Sequence, residues 1–197
     1  MRGRQRNGSS CGLLPSLIIG IDASNGKLLW SYQQEGKDID CQVNTPLFED
    51  GFLYSVAGNG NGAFKLKLSD DGSQYTEIWK NTDCDGLTGG FIKVNNYLYS
   101  AGYEKRQYYS VDLENGKIVD SLKFDRGTIN YADGLIYLYN ERGQVGLFKP
   151  SGPKLEQVST FRLTQGTKAH FSHPVICNGI MYIRHGKSLI AFKIKQG

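Results

Sequence analysis

Several side chains of this chain are of types that do chemistry. Two histidines, His170 and His173, stand three residues apart, and paired imidazoles serve as general bases or as metal ligands. Aspartates come in two close pairs, Asp38 with Asp40 and Asp83 with Asp85, and such carboxylates suit a hard cation such as calcium. Asn44, Arg126 and Lys168 add further polar groups. Each has a plainer reading beside it. Loop acids are solvated without any ligand, and that reading is preferred for the four aspartates. In an extended segment a spacing of three sends two rings to opposite faces, so a joint site at His170 and His173 needs a turn between them; packing or hydrogen bonding by His173 beside Pro174 is preferred. Gly58-Asn59-Gly60-Asn61-Gly62 lies between two strand-like runs and lacks the Lys-Ser/Thr ending of a phosphate loop, so it reads as a connection. The chain has no serine nucleophile elbow and no His-Glu-x-x-His, so an enzyme would have to be assembled from loops that converge in space.

Composition narrows the classes further. The formal charge of +4 is mild and its lysines and arginines are scattered, so the electrostatic footprint of a nucleic-acid binder is missing. No run approaches the length of a membrane span. Cys11, Cys41, Cys84 and Cys177 stand far apart without a C-x-x-C pair, which argues against zinc. Cys41 and Cys84 fall at similar places before successive strands, so a bridge between them is conceivable; unpaired small core residues are the preferred reading.

The elements that must carry these side chains are strands. In Gly20-Ile21-Asp22-Ala23-Ser24-Asn25-Gly26-Lys27-Leu28-Leu29-Trp30, an apolar run leads to Asn25-Gly26, read as a two-residue hairpin turn, and a second run returns with Leu29 and Trp30. The turn recurs as Asp71-Gly72, Asn115-Gly116 and Ser151-Gly152, with the glycines 46, 44 and 36 residues apart. A second marker keeps step: Tyr54, Tyr99, Tyr137 and Tyr182 each end an aliphatic-Tyr pair just after a tight turn, at intervals of 45, 38 and 45 residues. That is the period of a propeller blade, and no stretch sustains helical apolar spacing. The chain reads as an all-β propeller of four-stranded antiparallel blades, about four of them present. Residues 1–16 are expected to be a flexible lead-in. A partial blade follows at 17–32, then blades at about 46–80, 91–123 and 129–163, and a partial blade at 175–195.

The residues also resemble a known family. Gly20-x-Asp22-x-x-Asn25-Gly26-x-x-x-Trp30 is similar to the repeat of pyrroloquinoline-quinone-type β-propellers, Ala-x-Asp-x-x-Thr-Gly-x-x-x-Trp. Asn44-Thr45-Pro46-Leu47 before Asp50-Gly51-x-x-Tyr54, and His173-Pro174-Val175-Ile176 before Gly179-x-x-Tyr182, look like the later blades of bacterial quinoprotein-like propellers. The resemblance covers nearly all of residues 17–195. It implies the C-terminal half of a seven- or eight-bladed parent, a periplasmic or extracellular setting, and a Trp that stacks between blades. Only the first repeat has the whole signature, since Thr76, Asp120 and Glu156 stand four residues after the later turn glycines. The family's dehydrogenases carry adjacent cysteines over the quinone and calcium in the funnel; this chain has no adjacent cysteines.

Propeller ligands meet the loops that join the last strand of one blade to the first of the next, together with the loops between second and third strands, because those loops converge on the channel mouth. The mouth candidates are Asp38, Asp40, Asn44, Arg126, His170 and His173. Two functions stay open. One is a non-catalytic module that binds a protein, peptide or glycan at this loop face, completed by missing N-terminal blades or by self-association. The other is a quinone-dependent alcohol or sugar dehydrogenase, with pyrroloquinoline quinone and calcium as the implied cofactors.

Overall fold

This computed structural model describes residues 17–34, 36 and 43–194, together with the strand pairing of residues 3–4 and 9–14. The described residues contain strands and no helix. The first sheet is β1 (Gly3–Arg4), β2 (Ser9–Leu14), β3 (Leu17–Asp22) and β4 (Leu28–Gln33). The second is β5 (Leu47–Glu49), β6 (Phe52–Ala57), β7 (Gly62–Leu68) and β8 (Tyr75–Asn81). The third is β9 (Phe91–Val94), β10 (Tyr97–Ala101), β11 (Tyr108–Asp112) and β12 (Ile118–Leu122). The fourth is β13 (Gly127–Ala132), β14 (Leu135–Asn140), β15 (Gln144–Ser151) and β16 (Lys154–Arg162). The fifth is β17 (Val175–Cys177), β18 (Ile180–His185) and β19 (Ser188–Lys193). Every pairing is antiparallel between sequence neighbours, which makes each sheet a meander blade of a partial β-propeller.

The stretch expected as a lead-in is different. Ser9–Leu14 pairs with Leu17–Asp22, and Gly3–Arg4 pairs with Ser10 and Cys11, so the first blade has four strands where two were expected. The sequence is apolar at Leu13-Leu14 and again at Leu17 to Ile19, which suits two paired strands.

The aliphatic-Tyr pairs explain how blades stack. Successive side chains on a strand point to opposite faces, and the second strand of each blade has a neighbour on both. Leu53 packs toward the first blade and Tyr54 toward the third; Leu98 packs back on the second and Tyr99 forward on the fourth; Ile136 packs back and Tyr137 forward again. Consequently β6, β10 and β14 are buried nearly throughout, while β16 at a blade's rim is almost wholly exposed. The four apolar clusters join consecutive blades, and among the described residues none joins the first blade to the fifth.

Polar docking sits at the blade rims. The Trp30 indole donates to the Gly72 carbonyl at 3.0 Å, and the Trp79 indole donates to the Leu113 carbonyl at 3.0 Å. Both accepting carbonyls lie in the hairpin turn of the following blade. The Tyr99 hydroxyl does the same to Gly152, in an interface that has no tryptophan. Strand register also identifies the residue that corresponds to Trp30: each β-bulge faces it, pairing Gly20 with Trp30 and Lys65 with Trp79. Trp79, rather than Thr76, is therefore the second docking residue.

The hairpin at Asn25-Gly26 is longer than two residues. Only Gly26 has a positive φ, at 77°, and Gly26 N–H donates to the Asp22 carbonyl while Asp22 N–H donates to that of Lys27. The Asp22 carboxylate accepts from Ser24 N–H at 2.8 Å and from the Asn25 amide at 2.7 Å, which spreads the reversal over Asp22 to Lys27. Two-residue turns with both φ positive occur instead at Asp50-Gly51, Asp133-Gly134 and Asn178-Gly179.

Replacing Trp79 separates its two roles. Trp79→Phe keeps most of the ring but removes the N–H, and Leu113 still accepts from the Lys65 ammonium at 3.0 Å, so the loss should be about 1 kcal/mol. Trp79→Ala opens the interface between the second and third blades and should cost about 3–5 kcal/mol. Urea unfolding of the two variants checks both; equal losses would show that the hydrogen bond, not the packing, holds the interface.

Candidate functional site

Three blades bring their loops together around a pocket of about 220 Å³. Its wall is built from the loops before β9, β13 and β17 and from those after β10 and β14. The third and fourth blades approach closely here. A Cβ on Gly89, in the loop before β9, would lie 2.2 Å from the Gly127 carbonyl oxygen at the start of β13, so only glycine lets the backbones of the two blades meet here.

Arg126, His170 and His173 all line this pocket. Arg126 Nε donates to Glu141 Oε2 at 2.6 Å, and its guanidinium lies over the Tyr103 ring, 4.5 Å from the centroid. The pair is held again through backbone, since Glu141 N–H donates to the Arg126 carbonyl at 3.0 Å. His170 Nδ1 sits 2.6 Å from the Tyr139 hydroxyl, and its ring stacks on His185 at 3.7 Å. The His185 ring is clamped, with Nδ1 and Nε2 each 2.7 Å from a backbone carbonyl, of Gln165 and Lys168. Tyr139 is pushed up to about 12 by burial, so its phenol stays protonated and donates to the imidazole. His173 Nε2 meets the Thr88 carbonyl at 2.9 Å, tying the loop before the fifth blade to the loop before the third.

The two histidines share one pocket despite their spacing because residues 163–174 are not extended. Gly166 and Lys168 take positive φ of 90° and 81° and turn the chain just before His170.

The other candidates do not join this site. Asn44 is buried, and its amide is committed to backbone: it donates to the Val56 and Gly86 carbonyls and accepts from Gly90 N–H. Asp85 Oδ2 accepts from the N–H groups of Glu104 and Lys105, fixing the loop after β10. Asp83 is exposed; its N–H donates to the Asn81 side chain and its carbonyl accepts from the Lys105 ammonium. Asp38, Asp40 and Cys41 lie outside the described residues. Cys84 and Cys177 are free thiols, and burial pushes Cys84 up to about 12, out of the nucleophilic range.

Sequence reasoning missed Tyr103, Glu141 and Phe171, the last 71% exposed at the rim. Tyr103 and Glu141 sit in second-to-third-strand loops, 101-AGYEKRQ-107 and 140-NERG-143, which carry aromatic and charged residues of their own. Phe171 stands between the two histidines.

Pyrroloquinoline quinone and calcium, implied by the family resemblance, do not fit these residues. The one carboxylate lining the pocket, Glu141, is already bound to Arg126, and no three His, Cys, Asp or Glu side chains converge among the described residues.

No known sequence family matches the chain, and no curated protein does. Solved structures do resemble it in fold. BamB from Moraxella catarrhalis is 14% identical with a TM-score of 0.66, over 96% of this chain and 59% of that one. The computationally designed Ika8 protein is 13% identical with a TM-score of 0.67, over 98% and 57%. A candidate 6-phosphogluconolactonase from Bacteroides uniformis is 10% identical with a TM-score of 0.71, over 96% and 65%. The chain thus spans less than two thirds of the length of these structures, and the likeness concerns fold.

His170 supplies a test of the geometry. Burial, then the neighbouring His185 ring and the Arg162 guanidinium, hold it below its ordinary value of 6.5. The folded state therefore favours the neutral ring. The unfolded chain takes up the proton first as pH falls, so the stability contributed by neutral His170 is present above about pH 6.5 and is lost as pH drops through the folded value. An NMR titration should give a His170 midpoint below 6.5; a midpoint at or above it would mean that the ring is solvated and away from the His185 ring and the Arg162 guanidinium.

Proposed function

We propose that the chain is a non-catalytic binding or scaffolding module, part of a quinoprotein-like propeller, that grips a partner group at its loop face. The observation that carries this reading is that the charged groups and both histidines of the pocket are already held by the scaffold: Arg126 by Glu141 and Tyr103, His170 by Tyr139, His173 by Thr88. Groups fixed this way present guanidinium and ring surfaces of set geometry, which suits recognition. A pocket of about 220 Å³ takes one side chain or one sugar ring, with Phe171 and Tyr103 as its flat apolar surfaces.

The same reading covers partners and setting. The outer face of the fifth blade leaves Val175 and Leu189 59% and 72% exposed, and Tyr182, which holds the forward-facing place of Tyr54, Tyr99 and Tyr137, is only half-buried. Further blades or a second copy would cover that face, as Tyr99 is covered by the fourth blade. The family resemblance puts such a module in the periplasm or outside the cell.

Panning the chain against a displayed peptide library and a glycan array, followed by calorimetry of the best binder, tests the pocket. Arg126→Gln and Phe171→Ala should each weaken that binder about tenfold. Binders indifferent to both substitutions would move the site elsewhere. Dye-linked turnover of alcohols or aldoses with added pyrroloquinoline quinone and calcium would overturn the non-catalytic reading altogether.

A further inference from the structure

Residues 124–127 divide the loop face into two sides. Arg126 turns inward to the pocket, whereas Asp125 turns outward and collects a different set of charges. The Asp125 side chain is only 11% exposed, and it accepts from Arg106 Nε at 2.7 Å, from Arg142 Nε and from the backbone N–H of Arg126. Both guanidiniums are held by the one nitrogen nearest the chain, while their side chains stay 45% and 68% exposed. Lys105 and Lys123 stand beside them, both exposed. Four cations thus surround a single carboxylate along an open groove of about 600 Å³ between the rims of the third and fourth blades.

We propose that this groove is a docking site for an acidic peptide segment, separate from the mouth pocket and independent of what that pocket binds. Charge complementarity sets the sign of the ligand: three of the four positive charges are uncompensated within the groove. The half-buried Asp125 fixes both arginines beforehand, which removes much of the ordering cost that a surface arginine faces on pairing with a carboxylate. Extent and lining set the ligand class. The groove is far larger than one phosphate, and its outer wall carries the Gln157 amide and the side-chain amide N–H groups of Gln144, which match the peptide groups of an extended chain, while the Thr160 hydroxyl donates to the Val145 carbonyl. Its one aromatic, Phe124, is 9% exposed, which leaves no ring surface for bases to stack on and disfavours a nucleic acid strand.

Fluorescence anisotropy with a fluorescein-labelled Glu-Gly repeat peptide tests this on the intact chain. Saturable binding should appear at low salt and weaken as salt rises. Arg106→Gln/Arg142→Gln should weaken it about tenfold. Because that variant leaves Asp125 without its two ion-pair partners, Lys123→Gln, at a residue with no ion pair to Asp125, should independently weaken binding by about threefold. Lys154→Gln, at the start of β16 on the fourth blade and outside the groove lining, should leave binding unchanged. The unlabelled peptide should displace the probe where inorganic phosphate and an oligothymidylate of equal charge do not. Absence of saturable binding, equal loss in the Lys154 variant, or equally effective displacement by phosphate or oligothymidylate would overturn the assignment.

Discussion

A blade whose second strand carries apolar side chains on both faces needs a neighbour on each, and the stacking of β6, β10 and β14 follows from that requirement. One hairpin buries too little apolar area to offset the entropy of ordering it. Each blade is stable only with a neighbour on it, so the second strands β6, β10 and β14 present apolar side chains to both sides. The hydrogen bonds at the rims obey the same logic. A hairpin turn pressed against a neighbouring blade has carbonyls turned away from water, and Trp30, Trp79 and Tyr99 supply the missing donors while filling the space with ring. Stability in such an array is close to a chain of nearest-neighbour terms, and the interface holding Trp79 is one link in it.

The site is a by-product of that stacking. Blades wedge together most tightly at their inner strands, which brings the loops before β9, β13 and β17 to one place, and His173 ties the first of these to the last across 85 residues of sequence. The loop face then has two chemistries a residue apart. Arg126 points into a small pocket with aromatic walls, and Asp125 points out to a basic groove. Asp125 itself takes a positive φ of 64° between the two blades.

Much of the fold was legible because repetition announces itself. Turn glycines and aliphatic-Tyr pairs recur at blade spacing, and both local patterns act through near neighbours in sequence. The candidate site was half legible. Arg126, His170 and His173 were visible as polar residues in loops that had to converge. Asn44 looked the same in sequence but is spent on three backbone groups from two different segments, which no local pattern displays. The strand at Ser9–Leu14 was also hidden, since no turn glycine marks its pairing with Leu17–Asp22.

The sequence by itself determined the blade as a unit, its strands and most of its turns, because those depend on periodicity, on φ > 0 residues and on β-branched and aromatic runs, all of which are local. Tertiary structure alone decided which polar side chains became scaffold and which became surface. A hydrogen bond such as Asn44 to Gly86, or a contact such as His173 to Thr88, has no counterpart in spacing; it exists only once separate blades have been pressed together and each buried donor has had to find an acceptor nearby.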